Sequence, residues 1–276
     1  MFELPEYQVI ANQINQSLLG KVIRRGLFSN TAHKFVWHNI SGEEFSRLAA
    51  GKTIGRAYAK GRWLFIPVEP GYVLVLGECG GKFVYQDASL QRPDKYHLLI
   101  EFEDSSFLYA LTQMWGAYEL YVQGEEQQRT YIKDMRPTPL DPAFTFEYFR
   151  DLMASESARK KLSAKALLTQ NQLIPGLGNS IAQDILFQAR LHPRHSVAEL
   201  DEDQARGLYE AISGTVEAVI EKGARYDEFD LYGQAGGYPR LMDKQAVGRP
   251  CPRCGGVVEK IQYLGGSCYL CPSCQV

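Results

Sequence analysis

Four cysteines near the end of this 276-residue chain constrain its fold more than any other feature. Cys251, Cys254, Cys271 and Cys274 follow the spacing C-x2-C-x16-C-x2-C, and proline or glycine accompanies each pair. Each C-x2-C turn places two sulfurs on one edge of a tetrahedron, which is the geometry that Zn²⁺ prefers. Since four sulfur ligands leave no open position, we predict one structural zinc ion that holds a short β-ribbon.

Disulfides and ordinary buried cysteines are the alternative interpretations of the same pattern. The chain shows no signal-peptide pattern and no apolar run of membrane-spanning length. We therefore expect a cytoplasmic protein without a membrane partner, in a compartment where disulfides are rare. Cys79 and Cys268 are predicted to be small packed side chains, because the four-cysteine ligand set is already complete.

The charge of the chain is uneven. The net charge of −2 and the isoelectric point of about 6.2 are unusual for a nucleic-acid-binding protein. Between Ser157 and Arg194, however, cations dominate over a lone acid, Asp184; they are Arg159, Lys160, Lys161, Lys165, Arg190 and Arg194. This segment is compatible with local phosphate binding and equally with a solvated basic helix, so charge alone does not decide.

The periodicity predicts an α+β, multi-domain protein. A helix is expected over Pro5–Leu19, followed by short strands with turn signals between them, typical of a β-sandwich or barrel. The expected strands are Arg62–Val68, Tyr72–Leu76, Lys82–Tyr85, His97–Phe102, Phe107–Leu111 and Ala117–Val122. After a proline-punctuated linker, helices are expected over Glu147–Met153, Ala158–Gln170, Ser180–Ala189 and Asp201–Glu221, and a loop over 224–250.

The turn between two of these helices, residues 173–180, has features of a phosphate-binding loop. Gly176 and Gly178 allow a tight turn, and Asn179 or Ser180 can cap the next helix, whose first amide groups attract anions. Such a hairpin can hold a DNA phosphate without reading sequence. An ordinary glycine turn with an asparagine cap would show the same residues.

Three separated segments together resemble the formamidopyrimidine-DNA glycosylase and endonuclease VIII family. They are the start Glu3-Leu4-Pro5-Glu6, the run Lys165–Pro193 and the four-cysteine ribbon. The resemblance covers the whole chain and implies an N-terminal helix on a β-sandwich, a helix–two-turn–helix domain and a zinc ribbon, with DNA between the lobes. The implied domains are residues 1–136, 137–248 and 249–276.

Members of this family excise oxidised bases from DNA in base-excision repair, acting as glycosylase and AP lyase on a flipped-out nucleotide. The amine of an N-terminal proline attacks C1′ and forms a Schiff base. By resemblance, Glu3 matches the proton-shuttling glutamate and Glu6 the second glutamate of the helix. Lys165 and Asn179 match the pair that binds a phosphate, and Trp115 keeps an aromatic ring at the wedge that enters the duplex.

Several positions depart from the family pattern. Phe2 stands where the family has proline, and such a bulky residue should preserve the initiator, so the free amine would belong to Met1. We expect the Phe2 ring to occupy the space of the flipped sugar. Arg62 replaces a lysine, Glu78 a methionine that fills the duplex, and Gly266 an arginine of the ribbon; Gln113-Met114 also lack the wedge arginine.

Three hypotheses for the function follow. The first is a protein that binds damaged or structured nucleic acid, with ordinary glycosylase and lyase activity weak or lost. The second is an active enzyme whose nucleophile is the Met1 amine or Lys60. The third is a protein-interaction module on the same fold. We expect a monomer that binds double-stranded DNA, or structured RNA, and that would associate with the nucleoid if the ligand is DNA.

Overall fold

The computed structural model describes residues 1–159 and 161–276, and of residues 158 and 159 it describes the backbone. Lys160 of the basic segment lies outside the described residues. The chain forms two compact units. The first comprises residues 1–135 and 220–238, and the second comprises residues 136–219 and 239–276.

The first unit is a β-sandwich with a helix at its start. One sheet has the order β1-β8-β9-β7, and the other has the order β2-β10-β6-β5-β3, with β4 paired to β5. The helices are α1 (Leu4–Ser17) and α2 (Gly42–Ala49). The strands are β1 (Ile23–Phe28), β2 (Val36–Trp37), β3 (Thr53–Ile54), β4 (Tyr58–Lys60), β5 (Trp63–Glu69), β6 (Tyr72–Gly77), β7 (Gly81–Gln86), β8 (Leu98–Phe102), β9 (Phe107–Thr112) and β10 (Gly116–Val122).

Local sequence explains how α1 is placed. The backbone N–H of Glu3 donates to the Glu6 carboxylate at 2.9 Å, which satisfies an amide at the helix start. Ile10 and Ile14 recur at helical spacing and are buried in the core. That core lies between the sheets, since alternate residues of β5 and β8, such as Leu64 and Ile100, join the same apolar cluster.

The second unit is helical and carries the cysteine ribbon. Its helices are α3 (Phe146–Arg159), α4 (Ala164–Thr169), α5 (Asn179–Gln188) and α6 (Glu202–Glu221), and its strands are β11 (Glu259–Tyr263) and β12 (Gly266–Leu270). Gln183 on α5 joins helix to ribbon, because its amide donates to the Ser267 carbonyl and accepts from the Tyr269 N–H. No helix among the described residues is long and apolar enough to span a membrane.

Two expectations about this region were wrong. The predicted helix Ala158–Gln170 is too long: α4 begins only at Ala164, where the Ser163 hydroxyl accepts from the Ala166 N–H and caps it. The expectation that Asn179 or Ser180 caps α5 is also wrong. The cap position of α5 is Gly178, and Asn179 is already the first helical residue.

Residues 220–238 return to the first unit instead of continuing the helical one. The segment is mostly irregular, with isolated bridges between Arg225 and Tyr238 and between Phe229 and Ala235. Its Leu231 carbonyl accepts from the Tyr85 N–H of β7, so it lies against the sandwich. The sequence predicted only a loop here, because pairing across so many intervening residues leaves no local pattern.

Candidate functional sites

The two glutamates of α1 are held by a buried arginine. Arg225 is 1% exposed, and its Nε and Nη2 donate to the two oxygens of Glu6 at 2.8 and 2.9 Å. Its Nη1 lies 3.6 Å from Glu3. Burial lowers the pKa of Arg225, but the carboxylates of Glu6 and Glu3 raise it well above its ordinary value. Sequence reasoning identified Glu3 and Glu6 but missed Arg225, which no local pattern marks.

The N-terminal amine is fixed by the same network. The Met1 ammonium forms an ion pair with Glu228 at 2.6 Å, and Arg225 donates to the Met1 carbonyl at 3.1 Å. Gly80 leaves the room that Met1 needs, since a Cβ at that position would lie 3.4 Å from the Met1 Cα. The start of the chain is therefore held at both its amine and its first carbonyl.

Phe2 does not fill the space that we expected for it. Its ring is 1% exposed and packs edge-to-face against Tyr7 in the core, with ring centroids 5.7 Å apart. Its backbone N–H donates to the Cys79 carbonyl at 3.1 Å. The expectation that this ring occupies the place of a flipped sugar is wrong, because burial of the large apolar ring in the sandwich is favoured.

Met1 lines two cavities of the first unit. The first cavity, of about 610 Å³, is bounded by residues 80–82 of the sandwich and by residues 227–233 of the returning segment. The second, of about 750 Å³, is bounded by aromatic side chains and by Arg62, Glu78, Glu119 and Arg129. Among the described residues, Lys60 lines neither of these cavities.

Two residues that we expected to depart from the family pattern contact each other. Arg62 and Glu78 form an ion pair at 3.5 Å at the edge of the second cavity. Both side chains of the pair are partly exposed. The carboxylate of Glu78 is thereby partly neutralised by the neighbouring guanidinium of Arg62.

Trp115 belongs to an aromatic row. Its ring lies 4.3 Å from that of Phe35, and 5.5 Å from that of Trp37 at an interplanar angle of 19°. Trp115 is 40% and Trp37 46% exposed, and both line the second cavity. Sequence reasoning missed Trp37, since the strand that carries it has only two residues.

Lys165 and Asn179 are brought together beside the ribbon. Lys165 is 2% exposed and donates to the Tyr263 carbonyl at 2.7 Å. A Cβ built on Gly266 would lie 3.5 Å from the Lys165 Nζ and from the Asn179 Oδ1. Gly266, which we expected to replace an arginine of the ribbon, therefore adjoins the predicted phosphate pair. Because an ammonium has three donors, Lys165 retains capacity for a further oxygen.

The four ribbon cysteines can hold a metal ion. Their sulfurs all lie within 4.8 Å of one another, with Cys251 and Cys274 at 3.8 Å and Cys254 and Cys271 at 3.5 Å. A tetrahedral zinc ion with bonds of about 2.3 Å requires sulfurs about 3.8 Å apart, so the set fits. Cys79 is no part of it, and burial raises the pKa of this thiol to about 12.

The fold, with its sandwich, glycine-turn helical domain and four-cysteine ribbon, defines a class of DNA-repair proteins. The family models for the formamidopyrimidine-DNA glycosylase N-terminal domain and helix–two-turn–helix domain match residues 1–118 and 135–229. A formamidopyrimidine-DNA glycosylase of Desulforamulus reducens is 30% identical over 281 residues, covering 100% of this chain and 99% of the relative. The chain therefore belongs to the formamidopyrimidine-DNA glycosylase family.

Other comparisons agree with this assignment. A formamidopyrimidine-DNA glycosylase of Bacillus cereus is 27% identical, over 100% of this chain and 99% of its own. The structure of MutM from Thermus thermophilus is similar with a TM-score of 0.81 and 26% identity, covering 99% of this chain and 98% of that one. The Lactococcus lactis Fpg, solved with abasic-site DNA, gives a TM-score of 0.85 at 24% identity, covering 99% of both chains, which shows the shared fold.

Proposed function

We propose that this protein binds damaged DNA through its helical unit and ribbon, and that ordinary glycosylase and AP lyase activity is weak or lost. Lys165 and Asn179 hold one backbone phosphate, and Trp115 contacts the bases. One zinc ion, held by Cys251, Cys254, Cys271 and Cys274, orders the ribbon and supplies no catalytic chemistry. The protein acts as a monomer in the cytoplasm, at the nucleoid.

The environment of Phe2 is the observation that carries this proposal. The family reaction needs a free amine at that position, within attack distance of C1′ of the flipped nucleotide. Because the bulk of Phe2 opposes removal of Met1, we expect the nitrogen of Phe2 to stay a peptide N–H; it donates to the Cys79 carbonyl, and the ring is buried. An amide nitrogen is not a nucleophile, so the chemistry could proceed only from an amine displaced by a whole residue. Displacements of about 1 Å can already cost about 10²-fold in rate.

Glu3 and Glu6 support the same conclusion. Both carboxylates face Arg225, with Glu6 in two short hydrogen bonds to the guanidinium. Because loss of either partner would leave a buried charge uncompensated, this arrangement ties α1 to the returning segment. A carboxylate in that setting serves the fold, so we assign the two glutamates a structural role in place of proton transfer.

A second function is favoured by one specific observation: Met1 lines both cavities, and its ammonium is paired with Glu228, which lines the first of them. As the free amine, Met1 could attack the C1′ aldehyde of an abasic sugar, and loss of water would give an imine. Glu228, at 2.6 Å, would accept the proton that the ammonium must lose first. The same observation does not favour Lys60 as the nucleophile, because Lys60 is not among the described residues that line either cavity.

Borohydride trapping, run beside a binding titration, tests the proposal. We expect binding to duplex DNA that contains an abasic site, without a trapped adduct under conditions where an active family member traps readily. Glu3→Gln should leave any residual strand cleavage nearly unchanged, because no proton relay depends on it.

The other outcomes separate the competing functions. Efficient trapping, with the reduced adduct mapped by mass spectrometry to the Met1 peptide, would replace the proposal by the second function. Absence of binding to duplex DNA and to an RNA hairpin, even at low salt, would leave the protein-interaction module. Tighter binding of the RNA hairpin would change the assigned ligand from DNA to structured RNA.

A further inference from the structure

A groove follows helix α6 in the second unit, and we call it the α6 groove. Residues 139–146, at the start of α3, form one side of it, and residues 209–217 of α6 form the other; its volume is about 610 Å³. The rings of Phe144, Phe146 and Tyr209 line it, and the Tyr209 hydroxyl donates to the Phe144 carbonyl at 2.9 Å. A direct hydrogen bond therefore fixes the two sides of the groove to each other.

The α6 groove is negatively charged. Among the described residues that line it, the charged side chains are all acidic, namely Asp141, Glu210 and Glu217. Glu210 and Glu217 are exposed, and neither forms an ion pair within the part of the chain that the structure describes. Arg206, the cation of α6, lies over the Phe146 ring at 4.0 Å and pairs with Glu202 at 3.6 Å. The groove therefore offers two carboxylates to a cation from outside.

The helix backbone is uncovered between these two carboxylates. Gly214 lines the groove, and a Cβ built on it would meet no heavy atom within 4 Å, so packing within the described residues does not require glycine. Glycine in a helix interior is destabilising relative to alanine. The missing side chain instead leaves room for another chain to approach α6 closely.

The spacing of the carboxylates indicates what kind of chain fits. Glu210 and Glu217 are seven residues apart, so they are separated by about 10 Å along the helix axis. In an extended polyproline-II segment, residues i and i+3 lie on the same side, about 9 Å apart. Two cationic side chains at that spacing match the two carboxylates. A nucleic acid does not, because its phosphates would be repelled by this surface.

We propose that the α6 groove docks an extended, cationic segment of another protein, with Lys or Arg at i and i+3 and an apolar residue between them. The apolar residue would lie over Gly214 and beside the Tyr209 ring. Lys165, Asn179 and the ribbon are not among the described residues that line this groove, so docking leaves the proposed phosphate-binding residues accessible. The inference goes beyond the proposed function and does not depend on it.

Selection from a random peptide display library on the intact protein tests the inference, with the affinity of each enriched peptide measured by fluorescence anisotropy. We expect the enriched peptides to share Lys or Arg at i and i+3 around an apolar residue, and to bind more weakly as salt increases. Gly214→Leu should abolish their binding, because the new side chain fills the groove. Gly207→Leu is the matched control, since a Cβ there also meets nothing within 4 Å but Gly207 lies outside the groove.

A pair of charge variants tests the same groove without adding bulk to α6. Glu210→Gln combined with Glu217→Gln should weaken peptide binding about tenfold, since two partly exposed ion pairs are lost. Asp203→Asn combined with Glu221→Gln removes the same charge from α6 outside the groove, and it should leave the peptide affinity nearly unchanged.

Three outcomes would overturn the inference. They are a selection that enriches no cationic motif, peptides that bind Gly214→Leu as tightly as Gly207→Leu, and equal effects of the two charge-variant pairs. Binding to duplex DNA is measured beside them and should be retained in Gly214→Leu. Failure of the intact protein to bind the duplex would contradict the proposed function alone, because peptide docking does not require DNA.

Discussion

Lys165 illustrates how a single residue can serve both fold and ligand. Its side chain is almost fully buried, and its ammonium donates to the Tyr263 carbonyl of the ribbon. Truncation to alanine would remove the charge and also leave a hole in the packing. Methionine keeps the length of the apolar stem, so it isolates the contribution of the charge.

We expect Lys165→Met to weaken DNA binding similarly across sequences and to reduce the slope of log K against log salt by about one unit, because one phosphate contact is lost. Binding titrations at several salt concentrations measure this slope. Lys244→Met, which changes an exposed lysine of the same unit, is the control. An unchanged slope in Lys165→Met, with affinity intact, would contradict the phosphate role.

At the scale of single residues, the sequence identified candidate site residues better than it predicted what surrounds them. Lys165 and Asn179 could be paired from the family resemblance, and in the structure both lie beside Gly266. The partner of Glu6, Arg225, could not be found, because 219 residues separate the two and no periodicity connects them. The orientation of the Phe2 ring depended on packing against Tyr7, which a linear pattern does not describe.

At the scale of elements, the prediction succeeded where periodicity is long or turns are explicit. Strands β5 to β10 and helix α1 lie within one or two residues of their predicted bounds, because alternation and helical spacing are clear there. Strands β2 and β3, with two residues each, carry too little sequence for any period. Helix α4 was overextended because its apolar residues continue a helical pattern that the Ser163 cap interrupts.

The ribbon is the element whose existence depends most directly on a ligand. Its hairpin of two five-residue strands has too little apolar surface for a core of its own. We expect Cys251→Ser to abolish the bound zinc, one ion per chain in the intact protein, and to unfold residues 251–276. Metal analysis and limited proteolysis measure both effects.

Cys268→Ser is the matched control for the ribbon prediction. This cysteine is buried in the same hairpin, but its sulfur is outside the four-cysteine group. Its substitution should preserve one zinc per chain and protease resistance. A protein that lacks zinc before any substitution, or a Cys251→Ser variant whose ribbon stays ordered and metal-loaded, would contradict the prediction.

At the scale of the whole molecule, the first unit is built from two distant parts of the chain. Arg225 supplies the charge that the Glu3 and Glu6 carboxylates of the opening helix face. The fold class, helical domain and ribbon could be predicted from sequence. The return of residues 220–238 could not, because the contacts that draw it back are long-range, both the ion pair of Arg225 with Glu6 and the burial of Leu231 in the sandwich core.

Removing the ion pairs of Arg225 with Glu3 and Glu6 should strongly destabilise the first unit. Arg225→Met leaves buried carboxylates without their cation, which costs about 3–5 kcal/mol when one partner of a buried pair is removed. Urea denaturation followed by tryptophan fluorescence measures the loss, since all tryptophans lie in this unit. Arg194→Met, a substitution in the other unit, is the control and should change this transition little. An equally small effect of Arg225→Met would refute the stabilising role of the Arg225 ion pairs.

The hydrogen bond from Lys165 to the Tyr263 carbonyl also has a thermodynamic consequence. It joins Lys165, the proposed phosphate-binding residue, to the hairpin that zinc would order. The binding of DNA and the binding of zinc are therefore linked. If zinc raises the affinity for DNA by some factor, then DNA must raise the affinity for zinc by the same factor. Bound DNA would thus protect the metal from chelators, and protein that lacks zinc would bind DNA more weakly.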